Sequence, residues 1–447
     1  MGMNAIPLTR RRFLRAAGVA GLTSGLLTGL AAAGRTLAAD GPAKTPYAGD
    51  VEFLLAELER QAGAFFEVKK IDWAAVTRQF RAEAKKVRTD AAHLKLCQRL
   101  VARLRDGHAA LVDVKLTPPD ESKGRRFTGP RVHLLASPGV VLVRTAFGPA
   151  LEQGVQAGMK VLKIDAKPAA AWLQDRVEKL RDENGYSTDH AALYAACHWG
   201  LADWEGTKIS FELEKDGRKK AVTIIRKGGP NFAPLGPVFP PKGLEQLGRQ
   251  SYGKTESGLG YIHLRDVPSD LPQQLDTMLA RVADAPGLVL DCRANGGGGC
   301  DHEAVFGRFL EPGKRWRQYT GQGTKPYPGP MVVIVDAGVR SAGETISGML
   351  KEDGRALLIG DTPTAGSSSQ KTRVTVPSGL FTVYFSVASN KGRFNGGKGI
   401  EGIGVAPQET VPYDARDLLA GVDTQIRRAE ALLRAGLPAE KVSYKPG

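Results

Sequence analysis

Residues 331–350 read MVVIVDAGVRSAGETISGML. The first five form a short, β-branched apolar run, the composition of a strand buried on both faces. Asp336, Ala337 and Gly338 break that run. From residue 342 onward the apolar positions take helical spacing, with Ile346, Met349 and Leu350 on one face of a helix over 342–352. A buried strand entering a helix across a tight turn is one βα unit, and it sets Ser341 at the helix start. The same alternation recurs upstream as strand 260–264, helix 268–281, strand 287–291 and helix 302–310. Short apolar strands alternating with helices predict an α/β layered fold with parallel strands.

Further upstream the chain changes character. Residues 139–144 and 159–165 read as strands around a short helix at 149–155. Residues 208–214 and 220–225 alternate as half-buried strands about an Asp216-Gly217 turn. Before them, 50–65 and 72–105 read as helices; Val51, Leu54, Leu55 and Leu58 share a face of the first, and Leu94, Cys97, Leu100, Val101 and Leu104 share a face of the last. A short strand at 109–114 and a linker rich in Pro, Lys and Arg at 118–126 close this region. The last helix runs over 414–433. No internal repeat is present.

The N-terminus carries a compartment signal. Thr9-Arg10-Arg11-Arg12-Phe13-Leu14-Arg15 precedes an apolar, small-residue run to Ala33 and then Leu37-Ala38-Ala39. A basic region, an apolar region and a small-residue site together read as an export signal, and the paired arginines resemble the twin-arginine type. An uncleaved signal anchor is the alternative. No other segment approaches the ~18 consecutive apolar residues of a membrane span. Cleavage after residue 39 removes five arginines and no acids, so 62 basic residues become 57 against 47 acidic ones and net charge falls from +15 to +10. Both signs are interspersed, which supports solubility and argues against a nucleic-acid function. Cys97, Cys197, Cys292 and Cys300 are scattered; buried small hydrophobes are the plainer reading, with Cys292 and Cys300 the nearest pair for a disulfide.

Two βα turns can carry chemistry. The first, Asp291-Cys-Arg-Ala-Asn295 followed by glycines 296–299, leaves backbone N–H groups open to an oxyanion. It lacks the Gly-Lys-Ser/Thr ending of a phosphate loop. The second is residues 335–344, where Ser341 would project its hydroxyl from the carboxyl edge of the sheet, with a helix N-terminus behind it to stabilise negative charge. Taken alone, Ser341 also reads as a helix cap.

Four segments weigh the choice: GYIHL (260–264), LVLDCRANGGG (288–298), VDAGVRSAGETISGML (335–350) and GIEGIGVAPQETV (399–411). In this order they resemble the signatures of the tail-specific, or C-terminal processing, serine peptidase family, S41. The resemblance implies a ClpP/crotonase-like layered α/β catalytic core, with Ser341 as nucleophile and an oxyanion hole from the Ala342 and Gly297 N–H groups. Residues 140–172, VVLVRTAFGPALEQGVQAGMKVLKIDAKPAAAW, resemble a PDZ domain, which captures peptide ends on a sheet edge.

The base departs from the better-known branch of that family. There a lysine serves, and its position falls here on Gly366, which cannot take a proton; Lys371 lies beyond it and reads as a solvated side chain on an alternating strand. Arg105-Asp106-Gly107-His108 instead resembles the histidine-using, tricorn-like branch, which makes His108 the general base. That branch also implies Glu401 as a supporting carboxylate. Its usual serine relay falls on Gly107, so Asp106 or water would have to substitute. His263 and His302 match no catalytic position.

The predicted organisation is an export signal at 1–39, a helical region at 40–117, a PDZ-like domain at 127–228, a catalytic core at 250–412 and a C-terminal helix at 413–447. The expected function is an exported peptidase acting on polypeptides, in the periplasm or beyond, with the PDZ-like domain engaging the substrate chain end. No metal or organic cofactor is implied. Two alternatives stand beside it: an inactive peptide-binding scaffold that lost the lysine, and an esterase or amidase of small molecules.

Overall fold

A computed structural model describes residues 46–115, 126–227 and 235–445. The export signal expected at 1–39 and most of the linker expected at 118–126 lie outside the described residues. Among those described, seven strands form the main sheet in an order that follows the chain: Glu245–Leu247, Gln250–Lys254, Gly260–His263, Leu288–Asp291, Met331–Val335, Leu357–Gly360 and Glu409–Thr410. The first three are antiparallel, and every later pair is parallel. Met331, Val333, Val335, Leu288 and Leu290 face helices Leu271–Arg281, His302–Gly307 and Ala342–Glu352. Val289, Val332, Ile334, Leu357 and Ile359 face the other way, onto helix Thr424–Ala435. Both faces are covered, which is why residues 331–335 are apolar without alternation. Fully buried Arg293 ties the carboxyl edge to that last helix through Asp291 (2.5 Å) and Asp423 (3.0 Å).

A second sheet joins the N-terminal helices to the core. Strand Ala110–Val112 pairs with Thr382–Ser389, which pairs with Ser369–Thr375. Val383 and Phe385 from this sheet, and Phe381 just before its strand, share one apolar cluster with Leu54, Leu58, Phe80 and Leu100. The third main sheet runs Val132–Ser137, Val140–Ala146, Lys160–Ile164, Lys208–Lys215 and Arg218–Ile225. Two helices cover it, Ala169–Glu183 and Asp189–His198.

Several element boundaries differ from the sequence reading. The helix expected over 72–105 is two, Trp73–Ala84 and Asp90–Ala102, because Thr89 restarts it by accepting the Ala92 N–H at 3.2 Å. The helix expected over 414–433 is likewise two, Ala415–Leu419 and Thr424–Ala435, separated at Gly421 (φ +75°) and recapped by Asp423. Helix Asp189–His198 drew no prediction. Ala191, Ala192, Ala195 and Ala196 make most of its buried side, with Cys197 and His198 at its end, a weak apolar stripe. All four cysteines are free, so Cys292 and Cys300 are not joined. Among the described residues, no helix is long and apolar enough to cross a membrane.

Candidate active site

Ser341 lies at the start of helix Ala342–Glu352 with φ +53° and ψ −124°, a backbone region that a non-glycine residue occupies only when its surroundings hold it there. The hold is visible. The Ser341 N–H donates to the Ser367 carbonyl (2.9 Å) and to Glu344 Oε2 (3.1 Å). The fully buried Glu344 carboxylate also accepts the Thr364 hydroxyl (2.6 Å) and the N–H groups of Gly366 (2.7 Å) and Ser367 (2.8 Å). One carboxylate therefore clamps the Ser341 turn to the 364–367 loop, while burial pushes its pKa up to about 7. The sequence reading passed over Glu344. Its signal was present, because Ser341-Ala-Gly-Glu344 has capping-box spacing and the structure forms that box.

The glycine run lies directly against this turn. The Arg340 N–H donates to the Asn295 carbonyl at 2.9 Å. A Cβ on Gly297 (φ +79°) would come within 2.6 Å of Ser341 Cβ and 3.3 Å of the Ala342 nitrogen, so only glycine allows this approach. The Ala342 N–H opens the helix and has no intrahelical acceptor. The Gly297 N–H donates to Asn295 Oδ1 at 2.8 Å. Of the two oxyanion donors expected from sequence, one is thus engaged with a side chain in this state.

His108 sits on a turn held from both ends. Buried Asp106 accepts the His108 N–H (2.8 Å) through Oδ1 and the Ser386 N–H (2.7 Å) through Oδ2, and strand Ala110–Val112 follows directly. His108 Nδ1 is 3.9 Å from Asp106 Oδ1 and is buried without a hydrogen-bond partner. Burial, then the charges of Lys371, Arg340 and Lys69, push its pKa down to about 4 against the pull of Asp106. The imidazole is therefore neutral near pH 7. Ser367 is common ground for the two turns: it accepts the Ser341 N–H, and a Cβ on Gly107 would fall 2.2 Å from its Oγ.

Glu401 completes the cluster. It is buried, ion-paired to Lys69 Nζ at 2.7 Å and hydrogen-bonded by Ser187 Oγ at 3.0 Å. Burial raises its pKa while Lys69 opposes that rise. Ligand atoms of Asp106, His108 and Glu401 lie within 4.8 Å of one another. This triangle could face a cation, but the Lys69 ammonium already compensates Glu401 there. Lys69 and Ser187 were invisible from sequence, since neither is near Glu401 along the chain.

The structure also explains the missing lysine. Gly366 has φ +72°, and a Cβ there would meet Thr188 Cγ2 at 2.6 Å and the Ile403 and Gly404 nitrogens at 3.1 Å, so the position accommodates no side chain. Lys371 corrects an expectation, because it is half-buried and not solvated. The pairing of its strand skips Val387, which sets Lys371 opposite Ser386, the residue whose N–H holds Asp106. Burial lowers its pKa, and Asp106, Glu401 and Glu344 oppose that fall. His263 bonds the Arg293 carbonyl (3.0 Å), and His302 opens a short helix; neither joins the cluster.

A strained serine at a strand-to-helix turn, backbone donors beside it and a neutral, partly buried histidine across one shared residue are the parts a serine hydrolase uses. Residues 258–411 match the model of Peptidase family S41. The carboxy-terminal-processing protease of Bartonella bacilliformis is 24% identical over 369 residues, covering 76% of this chain and 74% of that protein. Tricorn protease homolog 1 of Streptomyces coelicolor is 28% identical over 205 residues, covering 44% of this chain; the match spans only 19% of that protein. The crystal structure of mature CPAF shares the fold, with a TM-score of 0.61 at 13% identity over 87% of this chain and 96% of that one.

Proposed function

We propose that this chain is an exported serine peptidase that cleaves polypeptides through an acyl-enzyme on Ser341. His108, neutral at pH 7, takes the Ser341 proton during attack and returns it to the leaving amine. The Ala342 N–H and the Gly297 N–H stabilise the oxyanion, the latter by leaving or sharing its bond to Asn295 Oδ1; losing one such donor costs about 2.7–4 kcal/mol of barrier. Glu401 supports the histidine turn. The domain at 127–228, read as PDZ-like, holds the substrate chain, with its C-terminal end on a sheet edge. The twin-arginine reading of residues 1–39 supports action outside the cytoplasm.

The observation that carries this reading is the meeting of the Ser341 and His108 turns on Ser367, with the lysine position closed at Gly366. The closed position also keeps an inactive peptide-binding scaffold as the second reading. Incubation of the chain from residue 40 with an unstructured polypeptide and, separately, with a short ester distinguishes the readings. The peptidase reading expects polypeptide cleavage that Ser341→Ala abolishes. Ester turnover alone would make it a small-molecule esterase, and binding without either turnover would make it the scaffold.

A further inference from the structure

Gly107 leaves the His108 turn without a side chain, and a Cβ there would point at Ser367 Oγ (2.2 Å) and at Ser187 Oγ (3.6 Å), which comes from a distant part of the chain. Ser187, 2% exposed, lies between helices Ala169–Glu183 and Asp189–His198 of the β domain. Its hydroxyl accepts the Gly107 N–H (3.0 Å), donates to Glu401 Oε1 (3.0 Å) and lies 2.8 Å from Ser367 Oγ. A hydroxyl has one proton and two lone pairs. With that proton on Glu401, Ser367 must donate to Ser187, and all of its hydrogen-bonding capacity is used.

The neighbours of Ser187 reach the same two turns. A Cβ on Gly185 would fall 2.2 Å from the Asp106 carbonyl, so glycine lets the segment lie against the histidine turn. Thr188 Oγ1 donates to the Ala365 carbonyl (3.0 Å), and His190 Nε2 bonds the Thr364 carbonyl (2.7 Å). Asp189 pairs with Arg105 at 2.5 Å. Residues 185–190 thus bind the 105–107 turn on one side and the 364–367 loop on the other.

We propose that Ser187 is a positioning residue for His108, supplied by the β domain: its hydroxyl couples the Glu401 carboxylate to the Gly107 N–H and so holds the histidine turn against the Ser341 loop. This rests on the peptidase reading. It makes docking of the β domain a condition for an aligned base, so that the domain expected to hold substrate also completes the site.

The test is the rate of fluorophosphonate labelling against pH for wild type, Ser187→Ala, and Ser187→Ala carrying Gly107→Ser and Ser367→Gly, each with its melting temperature. The last variant returns a hydroxyl to the turn itself and removes the Oγ it would strike. Ser187→Ala should label about tenfold more slowly, short of the ~10²–10⁴-fold cost of losing the base outright. Its acid midpoint should rise from near 4 toward the ordinary histidine value of about 6.5 as the turn hydrates. The compound variant should recover both. A wild-type rate and midpoint in Ser187→Ala, or a slower rate with an unmoved midpoint, would overturn the proposal as a merely structural contact. If Ser187→Ala does not fold, near-isosteric Ser187→Cys carries the same comparison. Absence of wild-type labelling, or labelling that survives Ser341→Ala, would instead refute the peptidase reading and the inference with it.

Discussion

Gly366 and His108 divide the question of the base between them. Gly366 sits where a side chain would strike Thr188 and where φ is positive. Gly366→Lys should therefore restore no lysine-dependent activity and should destabilise the fold by about 1–3 kcal/mol of backbone strain plus the clash, read by urea denaturation. His108 makes a pH prediction. With its pKa near 4, labelling of Ser341 should be nearly undiminished at pH 5.5, whereas an ordinary histidine near 6.5 would leave about a tenth. The stability sign follows from linkage. The folded value lies below the unfolded one, so the unfolded chain takes the proton first. Lowering pH from about 6.5 toward 4 therefore destabilises the fold through this residue. At this scale Ser341 could be singled out on its turn and His108 by resemblance. Ser187 and Lys69 could not, because they reach Glu401 across 214 and 332 residues.

The elements carry the strain at Ser341. The capping box of helix Ala342–Glu352 has Glu344 accepting four donors, the Ser341, Gly366 and Ser367 N–H groups and the Thr364 hydroxyl. Glu344→Gln turns an NH2 toward that ring of donors. It should cost about 1–3 kcal/mol of stability, the cost of unmet buried polar groups, and slow labelling by loosening the Ser341 turn. Calorimetry and probe kinetics on the same samples check both. The βα units were legible because buried strands announce themselves as short apolar runs. Helix Asp189–His198 was not, since its buried side is mostly alanine. The direction of Lys371 was not either: it depends on a register shift opposite Val387, and a bulge is a property of two strands together.

Across the whole molecule, the candidate active site draws on three regions far apart in sequence, each pinned by its own core. Phe385 is fully buried where the N-terminal helices meet strand Thr382–Ser389, next to the strand that follows His108. Phe385→Ala should cost about 3–5 kcal/mol and reduce labelling with it. Lys69→Met leaves Glu401 buried without its cation and should also cost about 3–5 kcal/mol, checked by denaturant titration. The central claim, an activated serine served by a histidine base, is tested most directly by one measurement. It compares fluorophosphonate labelling of the chain from residue 40 as wild type, Ser341→Ala and His108→Ala, with folding verified by circular dichroism. The account predicts a labelled wild type and loss of labelling in both variants; a folded wild type that stays unlabelled, or full labelling of His108→Ala, would contradict it.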